Sequence, residues 1–401
     1  MSRARMRPGR CAAACAAIAV LAGGCGSVAA GAAAPAGPPV SLPLATSLSA
    51  GQTTWAVIPM GAASGPNLFW QLFKLPAGGA SWALATPPDV ATNGAIALGV
   101  QAGQSLVAGI HPSLLLDFSP ITSTPDGGRT WSVGAPDPGL ANVPDALATG
   151  PRGGQLIALN RSGSAELSRG GGTSSWTTLI STRALRATPA GRACQLTGLT
   201  AAAFEPSGPP VLGGICARPG TAGVFAYQGG TWHAAGPPLP GSLSARPTQV
   251  LRLTRTGSRL TAVLQAGTGR TASLLTAWTT GSTWTLSPAL PLRGRSVVSS
   301  SFGSTGGTIV VLSGGRGELL AGPGASWQQL PRLPPGRTVT LALPAGGGVD
   351  ALAAAGSSLT VWRLPSGQGG VTWKPGATSE HGATWSKTQQ VKVPIQYGSS
   401  G

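Results

Sequence analysis

Three histidines, six aspartates and four glutamates are all the imidazole and carboxylate chemistry in 401 residues. His111, His233 and His381 stand far apart, without the spacing that brings metal ligands together. No glycine is followed by lysine, which excludes a phosphate-binding P-loop, and no G-x-S-x-G elbow offers a serine nucleophile. A carboxylate pair for glycoside hydrolysis would have to come from Asp89, Asp117, Asp137, Asp145, Asp350 and the glutamates, with no pattern to choose among them. The residues therefore assign no catalytic group, metal or cofactor.

Arginine is the chemically active residue in this chain. Lysine and arginine together number 27 against 10 acids, a formal charge of +17. Nucleic acid is a poor match: no nucleic-acid-binding motif is present and only four residues are lysine. The remaining chemistry lies in five cysteines. Cys194 and Cys216 form an isolated pair which, in an oxidising compartment, closes as a structural disulfide. A bridge of that span stabilises by about 3 kcal/mol in the chain-entropy model.

The address points to such a compartment. Arg3, Arg5, Arg7 and Arg10 precede an apolar run from Cys11 to Ala22, a signal-peptide core too short to span a bilayer. Leu21-Ala22-Gly23-Gly24-Cys25 follows and resembles the lipobox of bacterial lipoproteins, with its leucine displaced by one position. The resemblance implies cleavage after residue 24, a lipid on Cys25, and anchoring to the outer face of the bacterial cell membrane, or secretion if the box is not used. Removing residues 1–24 takes four arginines and leaves a charge of +13. Residues 25–45, rich in Ala, Gly and Pro, read as a flexible tether with a reach of about 25 Å.

Glycine and proline make up about a quarter of the chain, at 62 and 36 residues, and recur as punctuation between short apolar runs. Thr124-Pro-Asp126-Gly-Gly128-Arg-Thr130-Trp131 matches S/T-x-D-x-G-x-T-W throughout. This resembles the Asp-box, or BNR repeat, of sialidase-like β-propellers. The resemblance implies a turn between the third and fourth strands of a blade, with the aspartate bonding backbone amides, the glycine at positive φ and the tryptophan packed on the hairpin. Weaker copies end at Trp82, Trp176, Trp232, Trp284, Trp327, Trp373 and Trp385. From Trp82 through Trp131 to Trp373 the intervals are 49, 45, 56, 52, 43 and 46 residues, one four-stranded blade each. Trp373 and Trp385 are too close to mark separate blades, and either could mark the last one.

The expected fold is thus all-β, a seven-bladed β-propeller over residues 46–401. In the second blade the strands read as 95–100, 105–110, 114–119 and 130–133, and in the fourth as 195–204, 210–215, 223–227 and 231–234. No segment shows a sustained helical period, and 390–397 reads as a strand that closes the ring against the first blade. Alternating strands sort the connections onto two faces. The face opposite the Asp-box turns collects twelve arginines: Arg161, Arg183, Arg186, Arg192, Arg218, Arg246, Arg270, Arg293, Arg295, Arg316, Arg332 and Arg337. Such a surface favours carboxylated, sulfated or phosphorylated partners.

The resemblance covers the blades but not sialidase chemistry. That family uses an arginine trio, a tyrosine nucleophile paired with glutamate, and an aspartate acid/base. Beyond the leader the tyrosines are only Tyr227, beside an Asp-box-like turn and so near the wrong face, and Tyr397 near the end of the sequence. Asp89 and Asp145, in blade connections on the arginine face, are the nearest acids. Two readings follow: a monomeric, non-catalytic binding or scaffold module for an anionic glycan or protein, like the photosystem II assembly propeller of this superfamily, or a sialidase-like glycan hydrolase.

Overall fold

The computed structural model describes residues 45–61, 68–88, 90–100, 105–113, 116, 118–151, 153–169, 175–365 and 384–394. The leader, Cys25 and most of the tether lie outside these residues. Among the described residues no helix is long and apolar enough to cross a membrane.

Short strands of two to nine residues, broken by Gly-containing turns, pair with their sequence neighbours into antiparallel meanders. Seven four-stranded meanders follow one another among the described residues, over 45–84, 95–138, 147–181, 196–234, 248–286, 297–329 and 338–392. The fold is a β-propeller. In each meander a tryptophan opens the fourth strand or directly precedes it, with Trp232 one residue further in: Trp82, Trp131, Trp176, Trp232, Trp284, Trp327 and Trp385. Strand Ser386–Lys392 follows Trp385, which therefore marks the last meander; Trp373 lies outside the described residues.

Several of these tryptophans tie one meander to the one before it. Trp284 Nε1 donates to the Ala235 carbonyl at 2.7 Å and Trp327 Nε1 to that of Pro288 at 2.9 Å, each just past the preceding fourth strand. Trp82 does the same across the chain ends. Its Nε1 donates to Asp350 Oδ2 at 2.9 Å, while Gln389 brackets its backbone at 2.8 and 2.7 Å. First and last meanders are thus neighbours joined by side chains. Strand Ser386–Lys392 is not the closing strand expected over 390–397: it pairs with Ser358–Leu364 inside the last meander, and Tyr397 lies outside the described residues.

Propeller geometry makes all first strands run in the same direction along the axis. Where two of them meet across it they must pair in parallel, and Ala45–Ala50 does so with Val297–Phe302. Small hydroxyl residues permit this approach: Thr46 Oγ1 donates to the Ser300 carbonyl at 2.7 Å, and the Ser47 amide to Ser301 Oγ at 2.8 Å.

One strand assignment and one connection differ from the expectation. The third strand of the second meander runs Phe118–Thr124 rather than 114–119, since its ladder pairs Thr124 with Leu106. The connection before the fourth meander is not irregular but forms two six-residue helices, Thr182–Ala187 and Pro189–Cys194. Ser181 Oγ caps the first by accepting from the Ala184 amide, and Thr188 Oγ1 caps the second from Gly191, with Pro189 at its first position. Gly191 is required there, because a Cβ would stand 2.0 Å from the Leu185 carbonyl oxygen. Helices this short complete no apolar period, so periodicity is blind to them.

Candidate functional site

Within a meander, strand alternation places second-to-third turns and meander-to-meander connections on one face, and the remaining turns on the other. The twelve arginines named from the sequence all fall in, or directly beside, segments of the first kind. Arg161 and Arg218 follow second strands, as does Arg270 in the 3-10 turn Gly269–Thr271, while Arg316 opens a third strand. Arg183, Arg186, Arg192, Arg246, Arg293, Arg295, Arg332 and Arg337 lie in connections.

They are not equivalent. The Arg161 guanidinium is spent on structure, donating to the carbonyls of Leu140, Leu116 and Ser113 at 3.2, 2.6 and 3.2 Å. Arg192 donates to the Ala187 carbonyl at the end of the first helix, Arg246 to that of Thr271, and Arg316 pairs with buried Glu318. Arg186, Arg218, Arg270, Arg293, Arg295 and Arg337 are exposed and take part in none of the three ion pairs found among the described residues. Arg293 also sits at φ +54°, a left-handed conformation that glycine or asparagine adopts more easily. A bulky cation kept in strained backbone beside open solvent is the kind of local cost that accumulates at functional surfaces. Arg270 lies against the same loop, its Cγ 3.6 Å from where a Cβ on Gly294 would be.

Arg332 and Arg337 line a groove of about 1110 Å³ beside the sixth and seventh meanders. Its walls include Val298, Leu333, Pro334, Trp362 and Trp385, and Val298 is an exposed large apolar residue. This combines apolar anchoring surface with flanking cations.

The opposite face carries the Asp126 turn. Asp126 Oδ1 accepts from the amides of Arg129 and Thr130 at 3.0 and 2.9 Å, and Oδ2 accepts from Thr130 Oγ1 at 2.7 Å. Thr124 Oγ1 donates to Asp126 and accepts from the Gly128 amide, with Gly128 at φ +83°. The bonds from Thr130, with those from Thr124 and Arg129, hold the Asp126 carboxyl well below the ordinary carboxylate range. Trp131 packs onto the cluster containing Trp55, Trp70 and Ala85. The turn is a structural device in the position expected, between third and fourth strands.

The acids whose side chains are described are engaged elsewhere. Asp145, one of the two nearest acids by sequence, is 5% exposed and forms a bidentate pair with Arg252, Nε to Oδ2 and Nη2 to Oδ1 both at 2.9 Å. Its Oδ2 also accepts the Leu253 amide at 2.7 Å. Arg252 Nη1 reaches Thr46 Oγ1 and the Ser300 carbonyl, and its guanidinium carbon lies 5.0 Å from the Phe302 ring centroid. This cluster lies where first strands meet and was invisible in the sequence, since its members Thr46 and Ser300 are 254 residues apart. Asp350 holds Arg363 and Trp82, Glu205 meets Ser207 and Gln228, and Glu166 accepts from Asn160. Asp89 and Asp117 lie outside the described residues.

Cys194 and Cys216 are bonded, with Cα atoms 4.9 Å apart. Cys194 closes the second helix rather than standing at the start of a strand, and Cys216 pairs in register with Leu196 two residues on. His111 is buried and His233 exposed, and among the described residues no three metal-ligating side chains gather. Tyr227 lies next to the 229–230 turn, with Trp232 at 5.2 Å between ring centroids.

No protein-family model matches the chain, and no curated protein matches its sequence. Solved structures match in shape. YCF48 from Cyanidioschyzon merolae is 13% identical over 81% of this chain and 96% of its own, with a TM-score of 0.46. A YCF48 described as bound to D1 peptide is 14% identical over 84% and 96%, at 0.47. A GH74 xyloglucanase from Xanthomonas campestris is 13% identical over 82% of this chain and 53% of its own, at 0.52. At such identities the likeness is one of fold, the β-propeller already read from the strand order.

Proposed function

We propose that the chain is an exported, membrane-anchored propeller, its seven meanders forming seven blades of one ring, that acts as a non-catalytic binding or scaffold module for an anionic glycan or protein. One observation carries this reading. Exposed arginines, among them Arg186, Arg218, Arg270, Arg293, Arg295 and Arg337, lie in the turns and connections of one face outside the ion pairs of the described residues, one of them in left-handed backbone, while the acids whose side chains are described are bonded elsewhere in the fold. The groove between Arg332 and Arg337 adds an apolar seat. Cys25 would fix the propeller to the membrane through a lipid, and the tether would let the face reach its partner.

The test is binding of immobilised heparin and of poly-glutamate across salt. Affinity should fall steeply as the Debye length shrinks from about 10 Å at 0.1 M to about 3 Å at 1 M. Arg270→Ala with Arg295→Ala should weaken it while leaving the melting temperature in place. Binding indifferent to salt and to these changes would reject the reading. Hydrolysis of fluorogenic sialosides or glycosides that vanishes in Asp89→Asn, with the melting temperature kept, would replace it with the hydrolase.

A further inference from the structure

On the Asp126 face the ends of the first strands enclose a depression at the axis, of about 330 Å³. Apolar surface from Leu98, Leu147, Phe204 and Leu253 alternates in its walls with hydroxyl side chains, and Asp145 also lines it. The hydroxyls around it are mostly engaged. Thr149 donates to the Val100 carbonyl, Ser49 to that of Leu343, and Thr256 is bonded to Thr261. Of its two charged side chains, one has no counter-ion. Arg255 lines the depression, and its Nε is buried with no hydrogen-bond partner, while Nη1 makes only a 3.3 Å contact to the Gly257 carbonyl. Asp145 cannot serve as counter-ion, since both its oxygens are taken by Arg252 and one also by the Leu253 amide.

We infer that this axial depression is a binding site for a small carboxylic acid with an apolar body, its carboxylate seated on Arg255. A buried donor without an acceptor is rare in folded proteins and is costly unless something fills it. Burial also holds the Arg255 guanidinium below its ordinary range, with no carboxylate offsetting the lost hydration. A carboxylate seated on the exposed part of the guanidinium matches its single positive charge and offers acceptors to its donors, whereas a phosphate dianion would leave one charge uncompensated. The engaged hydroxyls argue against a sugar acid, which needs several partners for its own hydroxyls. At about 30 Å³ for each water-sized group, the space holds about ten such groups, the size of an aryl or short alkyl acid. This site lies on the face opposite the exposed arginines and stands independently of the scaffold reading.

The test uses the exported full chain, labelled with ¹⁵N-arginine, and benzoate, hexanoate and phenylacetate as probes, with benzyl alcohol and benzamide as uncharged counterparts. The Arg255 Nε resonance, assigned by its loss in Arg255→Gln, should shift on adding at least one acid, and the uncharged counterparts should bind about tenfold or more weakly. Arg255→Gln should lose the same factor for the acid while keeping its salt-dependent heparin binding. If no acid moves the Arg255 resonance up to its solubility limit, or if acid and uncharged counterpart bind alike, the inference fails. Because the resonance is read in the unaltered protein, a variant that misfolds does not rescue it.

Discussion

The axis and the loop face use the same residue in opposite ways. Arg252 on the axis is 1% exposed, bidentate to Asp145, bonded to Thr46 and Ser300, and close to the Phe302 ring. Arg270, Arg293 and Arg295 on the loop face are exposed and outside any ion pair, with Arg293 in strained backbone. A buried guanidinium is tolerated only when its donors are met, so its neighbours are dictated by the fold. An exposed one is met by water and can be kept for a partner. Composition alone, which counts 27 basic residues, merges the two kinds.

The comparison breaks most visibly at Arg252. Arg252→Ala leaves Asp145 buried without its cation and should cost about 3–5 kcal/mol, measured by urea unfolding. Changing both partners to apolar residues of similar volume, Arg252→Met with Asp145→Leu, should recover much of that loss. If Arg252→Ala were no worse than a loop arginine change, the axial cluster would not be the lock described.

Arg161 shows that the division is not purely one of face. It lies among the loop arginines but is held by three carbonyls, and it neighbours buried His111, whose Nδ1 has no partner. Burial first, and then the charge of Arg161, lower the His111 pKa from 6.5 to about 4. In that interval the unfolded chain binds a proton that the folded protein does not, so stability falls as pH drops from about 6.5 to about 4. The loss is at most about 3 kcal/mol, and Asp126, whose pKa is also lowered, adds a loss only at lower pH, below the ordinary carboxylate range. Urea midpoints across this range should slope for the native protein and flatten between pH 6.5 and 4 in His111→Gln. An unchanged slope would mean that another group titrates.

What was legible in the sequence is what short range encodes. The Asp126 turn is built from residues 124 to 131, so its bonds could be expected from eight letters, and the tryptophan before each fourth strand repeats because the same hairpin recurs. The arginines could be sorted by face for the same reason, since each follows from a local turn. Asp145 reads from the sequence only as an acid in a blade connection on the arginine face, because nothing near it in sequence announces Arg252, 107 residues away. The parallel pairing of 45–50 with 297–302 is equally long-range. It depends on two serine- and threonine-rich strands meeting at the axis, where small side chains look like weak strand formers until their partner is known. The two helices before Cys194 failed for a different reason: their caps, Ser181 and Thr188, were readable, but six residues are too few to show a period.

The smallest expected effect is the one that most sharpens the contrast. Arg293 holds φ at +54° with Arg270 beside its loop and Arg295 two residues on, so backbone strain and like-charge repulsion both act against it. Arg293→Asn relieves both and should stabilise the protein by up to about 1 kcal/mol at low salt, whereas most exposed substitutions fall within about 0.5 kcal/mol. The repulsive part is screened at 1 M salt and the backbone part is not, so melting curves at two salt concentrations separate them. The same change should weaken heparin binding. A gain in stability with a loss of binding marks a residue kept against the interest of the fold, the reverse of Arg252. If Arg293→Asn instead destabilises the protein, the side chain is holding its loop, and Arg293 belongs with Arg161 among the structural arginines of that face.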